Sequence, residues 1–266
     1  PMETTGYAAA LADASGQDMK TIWKLNLFPE FIRAACTIVL SNGASNPVNG
    51  VTHLRALDFG VDNPIKDFPQ VTVYHFNGSD GTNRYQVANF GWTLLIGSLT
   101  GISSATISLG EKVWDNHPKD IISATGKPWM FIDRDVLSQA ANLPQALAMI
   151  KAANRTCAIH LGLGDTASNA IAGLQIAGKW FKEFTPTTLN YTNHPIIPGV
   201  FYWNKHAQPS EWGCLSHLLQ QYNGNLTAYN LAMEVSPKST TGNFHTVAFD
   251  DKNLKAYFAN SRKTYV

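Results

Sequence analysis

Cys36 follows a small Ala34–Ala35 pair at the head of a β-rich run, CTIVLS, and the chain carries two other cysteines, Cys157 and Cys214. A thiol becomes a useful nucleophile only when a base takes its proton. If the peptide bond before Cys36 is cut, the residue's own α-amine becomes that base. The amine titrates near pH ~8 and the thiol near ~8.5, so proton exchange between them is close to balanced. Small Ala34 and Ala35 leave the backbone room to bend for an N-to-S acyl shift. The following segment HLRALDFG, residues 53–60, supplies Arg55 and Asp58. As the hairpin partner of the Cys36 run, it would set both beside the thiol. The carboxylate would anchor the new ammonium and relay protons, and the guanidinium would hold the carboxylate and nearby carbonyls. The plain alternative is a buried core cysteine beside an ordinary strand ion pair.

That chemistry needs a hairpin, and the pattern supplies one. CTIVLS and GVTHLRALDFG flank a turn rich in Gly, Asn and Pro, as two strands of a hairpin do. Residues 3–33 read as helical, from the propensity of Ala8 to Ala12 and the helical spacing of Met19, Ile22, Trp23 and Leu27. Pro29 suits the first turn of a last short helix, PEFIRAA. Further strands are expected at 70–76, 84–90, 105–114 and 156–163, with turn clusters between them. Residues 134–154 predict two helical segments meeting at Pro144, and 210–222 a helix capped by Ser210. NFHTVAFD and LKAYFA close the chain as a hairpin. Strands, then helices, then strands predict an α+β fold with largely antiparallel sheets, not alternating βαβ units.

Composition narrows the function classes. A net charge of +1 and 15% charged residues give no basic field for nucleic acid, so no nucleic-acid partner is expected. No apolar run approaches the length of a membrane span, and the first residues show no basic stretch leading into an apolar one. The eight histidines lack ligand spacing, so no metal is expected, and no G-x-S-x-G elbow is present. The run GLGDTA, Gly162 to Ala167, fits G-x-G-x-x-A with Glu183 downstream. It lacks surrounding βαβ units, and Asp165 would oppose a pyrophosphate, so a tight turn is the better account. Sequons at Asn77, Asn154, Asn190 and Asn225 lean toward a glycosylated, lysosomal or secreted protein. An odd cysteine count then suggests Cys157 paired with Cys214 and Cys36 free, with three unpaired cysteines as the alternative.

LNLFPEFIRAACTIVLSN followed by HLRALDFG resembles the acid ceramidase and N-acylethanolamine acid amidase family. These are N-terminal nucleophile hydrolases, in the branch that includes the penicillin acyltransferases. The matching residues are Cys36-Thr37-Ile38-Val39 and Arg55-Ala56-Leu57-Asp58-Phe59. Residues 90–114 resemble the family's glycine-rich strand pair ending near a glutamate, here Glu111, and LNYTNHPI its oxyanion segment, here Asn193. Past Asn193 the family carries an Arg, where YWNKHAQPSEW offers Lys205 or His206. The resemblance implies a four-layer αββα fold. It implies cleavage between Ala35 and Cys36, leaving residues 1–35 as a helical α segment associated with a catalytic chain of residues 36–266. Amide hydrolysis through a thioester would follow, with Cys36 as nucleophile, Asn193 at the oxyanion, Asp58 supported by Arg55 at the new N-terminus, and Glu111 behind the site. No metal or organic cofactor is implied. The substrate would be an N-acyl amide such as a ceramide-like or fatty-acid amide lipid. Small non-lipid N-acyl substrates, acyl transfer and a catalytically silent lipid-binding protein are the alternatives. Trp23, Leu27 and Phe28 are expected to pack in the core, the other reading being a lipid-facing membrane-surface contact.

Overall fold

The computed structural model describes residues 2–76, 84–189 and 194–260. The chain opens with α1 (Met2–Ser15) and α2 (Met19–Leu27). Asp18 caps α2, accepting from the Thr21 amide at 3.0 Å and its hydroxyl at 2.7 Å, which satisfies donors a helix start leaves open. A single 3-10 turn, Phe28–Glu30, follows. The expected PEFIRAA helix goes no further, because Ala35 is already claimed by the next strand.

That strand, β1 (Ala35–Ser41), pairs antiparallel with β2 (Thr52–Asp58) in the register Ala35↔Asp58, Cys36↔Leu57, Ile38↔Arg55. The predicted hairpin is present. Then come β3 (Pro69–Tyr74), β4 (Val87–Trp92), β5 (Thr100–Ser103), β6 (Ile107–Val113), α3 (Trp129–Gln139), α4 (Leu143–Ala152), β7 (Ile159–Asp165), β8 (Ala170–Ala177), β9 (Trp180–Phe184), β10 (Val200–Trp203), α5 (Cys214–Gln221), β11 (His245–Asp250) and β12 (Lys255–Asn260). A helical run with a π-turn at Leu231–Val235 precedes β11. Among the described residues the strands form two antiparallel sheets, ordered β10-β1-β2-β11-β12 and β3-β4-β5-β6-β7-β8-β9.

The sheets pack face to face, with Ile38, Leu40 and Trp203 among the residues between them. Helices α1 to α4 cover the outer face of the larger sheet, and α5 with the π-turn segment covers that of the smaller. This is the expected α+β, four-layer αββα arrangement. Glycine sets the sheet spacing at one point. A Cβ on Gly162 would lie 2.5 Å from Ile38 Cγ2, and one on Gly110, its ladder partner, 2.8 Å from Arg55 Cγ. The GLGDTA run is therefore a strand under close sheet packing and then a turn. Asp165 accepts from the Leu143 and Ala167 amides and the Ser168 hydroxyl.

The first two helices share the core of the body, with Ala8 and Ile22 in the same cluster as α3 and α4. Two polar side chains join this segment to the rest. Buried Asn26 donates to Leu94 O and accepts from the Ile96 amide at 2.6 Å. Glu30 accepts from the Trp129 amide and the Thr156 hydroxyl, both at 2.8 Å. Trp23 and Leu27 pack into the core as expected. Phe28 does not: it is 40% exposed, and Phe31 82%.

Two other expectations are corrected. Cys157 and Cys214 are free thiols. Cys157 packs with the α1–α4 layer, whereas Cys214 heads α5 on the opposite outer layer with Sγ near Lys238 O, so two sheets separate them. Ser210 does not cap α5, which starts at Cys214 after Gly213; its hydroxyl accepts from Asn204 and the Trp212 amide. Asn154 and Asn225 are exposed, while Asn77 and Asn190 lie outside the described residues. No described helix is long and apolar enough to cross a membrane.

Candidate active site

Side chains alternate faces along a strand, so Cys36 points with Ile38 into the space between the sheets, where it is fully buried. Arg55 lies beside it, also fully buried, over the gap that Gly110 leaves. Its Nη2 donates to Glu111 Oε1 at 2.7 Å and stands 3.6 Å from Cys36 Sγ, and its Nε donates to Glu111 O at 3.2 Å. One guanidinium thus joins the strand carrying Glu111 to the thiol.

Arg55 does not hold Asp58, contrary to the expected support. The two are three residues apart on one strand and so face opposite sides of the sheet. Asp58 accepts instead from the Thr241 hydroxyl at 2.6 Å and the amides of Gly242 and Asn243 at 2.9 and 3.3 Å. Thr241 Oγ1 also meets Thr37 Oγ1 at 2.8 Å. Sequence reasoning missed this cradle, since nothing local ties residues 241–243 to residue 58. Asn193 lies outside the described residues.

Lys112 was missed as well. It follows Glu111 on β6, shares the inward face of Ser108 and Gly110, and is 1% exposed. Its ammonium donates to Lys205 O at 3.3 Å. Burial lowers its pKa, and the carboxylates of Asp115 and Glu111 oppose the shift. Lys205 turns its own ammonium to Thr240, and His206 packs on Trp212. The signal available in the sequence was a lysine two residues after Gly110 in an otherwise inward-facing row.

Burial pushes the Cys36 thiol up to about 12, with Arg55 opposing it most. In the uncut chain the sulfur is therefore a protonated thiol. Burial raises Glu111 too, against the pull of Arg55.

Two depressions meet at Ala34. One is a groove of about 390 Å³ with an apolar lining that includes Leu25, Phe28, Phe68, Trp92, Leu95 and Phe244, and with Arg55 and Glu111 as its charged residues. The other is an open cleft formed by Arg33, Ala34, Ala35, Asp58, Asp115 and Asn243. Ala34 lines both. Among the described residues no group of His, Cys, Asp and Glu could hold a metal ion.

No family model matches the sequence. Two curated relatives from Dictyostelium discoideum align with most of it. Protein dcd1B is 32% identical over 253 residues, 93% of this chain and 49% of its own length. Protein dcd1A is 31% identical over 260 residues, 93% of this chain and 58% of its own. The chain thus spans about half the length of the curated relatives it matches. Among solved structures, the Caenorhabditis elegans ortholog of N-acylethanolamine-hydrolyzing acid amidase superposes with a TM-score of 0.56 at 12% identity, covering 84% of this chain and 100% of that one. Penicillin V acylase from Agrobacterium tumefaciens aligns with a TM-score of 0.48 at 14% identity, over 85% and 83% of the two chains. At such identity the likeness to the acid amidase is one of fold alone.

Proposed function

We propose that this chain is a self-processing cysteine amidase that cuts itself between Ala35 and Cys36 and then hydrolyses an N-acyl amide whose acyl chain lies in the apolar groove. The observation that carries the reading is the meeting, at one stretch of backbone, of a buried thiol, a guanidinium 3.6 Å from it and a 390 Å³ apolar groove.

In maturation, Cys36 Sγ attacks the Ala35 carbonyl carbon. The C–N bond breaks, the thiol proton ends on the departing nitrogen, and a thioester with a free α-amine remains. Water hydrolyses the thioester, releasing the Ala35 carboxylate and restoring the thiol. In turnover, the α-amine takes the thiol proton and hands it to the leaving amine, and water clears the acyl thioester. Arg55 favours the thiolate, and Asp58, opposite Ala35 in the ladder, receives the new ammonium. By the resemblance, Asn193 supplies an oxyanion donor. We extend the proposal to a lysosomal or secreted, glycosylated protein, with Asn154 and Asn225 as exposed acceptors. The buried thiol favours one other reading, a lipid-binding protein that is never cut.

The test is intact mass under denaturing conditions, after incubation at about pH 4.5 and about pH 7.5, on either side of the histidine range. Wild type should yield a fragment of residues 36–266 and Cys36→Ala should stay whole. The cut protein should then be acylated on Cys36 by a fatty-acyl amide. A wild type that stays whole under both conditions, with no acyl adduct, leaves the lipid-binding reading.

A further inference from the structure

Where α3 packs on the larger sheet, three carboxylate oxygens are buried without a hydrogen-bond donor: Oδ1 and Oδ2 of Asp133, and Oε2 of Glu111. Asp133 is fully buried on the sheet-facing side of its helix. Met130, a turn before it, fills the space a Cβ on Gly97 would occupy, and Leu137, a turn after it, fills that at Gly101. On β6, Leu109 and Glu111 alternate toward the same helix, and Leu109 shares a core cluster with Val136 and Leu137. Glu111 spends its other oxygen on Arg55.

An unpaired buried carboxylate pays the penalty of any desolvated ion, and such a group takes up a proton instead. Two neighbouring carboxyls avoid mutual repulsion when one of them keeps its proton. The charges around this pair decide which carries it. Glu111 has the Arg55 guanidinium at 2.7 Å and Lys112 next in sequence. The charges acting on Asp133 are Glu111 from β6 and Glu30 from the turn after α2, both negative, and with burial they raise it well above the usual carboxylate range. Glu30 is committed to the Trp129 amide and Thr156, whereas Glu111 Oε2, on the strand facing α3, has no donor.

We infer that Asp133 is a positioning residue for Cys36: as a neutral acid its hydroxyl donates to Glu111 Oε2, and Glu111, kept ionised, holds Arg55 against the thiol. When Asp133 ionises at high pH, two carboxylates oppose each other and Arg55 loses its fixed partner. The effect on catalysis rests on the amidase reading; the proton and the thiol contact do not.

The experiment is infrared difference spectroscopy of the whole protein, wild type against Asp133→Asn and Asp133→Leu. Asn can donate without a titratable proton and Leu cannot donate. The carboxylic-acid C=O band at neutral pH should lose one component in both variants. The Cys36 S–H stretch, identified by its absence in Cys36→Ala, should stay in place in Asp133→Asn and shift in Asp133→Leu. Self-cleavage should hold within about threefold for Asn, without the wild type's alkaline decline, and slow about tenfold or more for Leu, as loss of a remote support does. An Asn variant that removes no acid band overturns the proposal. So does an S–H stretch unmoved by Leu, or an Asn variant with the wild-type alkaline decline. A wild type that never cuts defeats the amidase reading alone, because the two infrared bands still decide the role of Asp133. If the Leu variant does not fold, the Asn band and pH profile decide it.

Discussion

Ala35 and Asp58 stand opposite each other in the β1–β2 ladder, so the Ala35–Cys36 bond lies beside a carboxyl already fixed by Thr241, Gly242 and Asn243. Asp58→Asn keeps the shape and removes the charge that would receive the new ammonium. Self-cleavage should slow by about tenfold to a thousandfold, an acid–base contribution of ordinary size. Thr241→Ala removes one of three donors and should cost about 1 kcal/mol. The time course of the 36–266 fragment reads both. Maturation of Asp58→Asn at the wild-type rate would remove the carboxylate from the mechanism.

Arg55 and Glu111 form an ion pair that is 0% and 5% exposed. Removing one partner leaves an uncompensated buried charge, so Arg55→Met or Glu111→Leu should each lower stability by about 3–5 kcal/mol. The double variant should recover most of that, since a buried pair is often replaceable by apolar groups of similar volume. All three should lose activity. Urea unfolding of the four proteins measures the cycle, and a double variant as unstable as the sum of the singles would show that the pair is not what the single changes disturb.

His53 lies between the sheets with Nδ1 2.9 Å from Ser108 Oγ, which donates to Asp251 at 2.6 Å. Burial, and then the charge on Arg55, push its pKa down to about 3. The unfolded chain takes up this proton near pH ~6.5 and the folded one does not. The stabilisation is therefore whole above that pH and is lost as pH falls toward about 3. The slope is about 1.4 kcal/mol per pH unit inside the window. His53→Gln should lose that slope. Asp251, raised by burial, pulls the other way in both proteins and drops out of the difference. Parallel stability curves between about pH 7 and pH 4 would mean that folded His53 is already charged.

What was legible in the sequence follows the range of the interactions. The β1–β2 hairpin could be read because its alternation and its turn residues lie within 25 positions of one another. Pro144 marked the start of α4 for the same local reason, with Asn142 as its cap. The Asp58 cradle comes from the far end of the chain and left no local trace. The Arg55–Asp58 pairing failed on a rule the sequence did contain, since residues three apart on a strand face opposite ways. Lys112 and Asp133 were overlooked because charged residues are ordinarily solvent-facing. Only the packing of β6 between α3 and the smaller sheet turns both inward. The Cys157–Cys214 pairing relied on a parity argument, and the layer order overrules it.

Asn26 and Glu30 bind the first two helices to the body by side chains that do not depend on the backbone between Ala35 and Cys36. Opening that bond would turn a connection into an affinity. The two pieces, until then held at an effective concentration of about millimolar or higher by the chain itself, would become a heterodimer whose stability follows dilution by mass action. The groove, built from both sides of the cut, would then exist only while the dimer does.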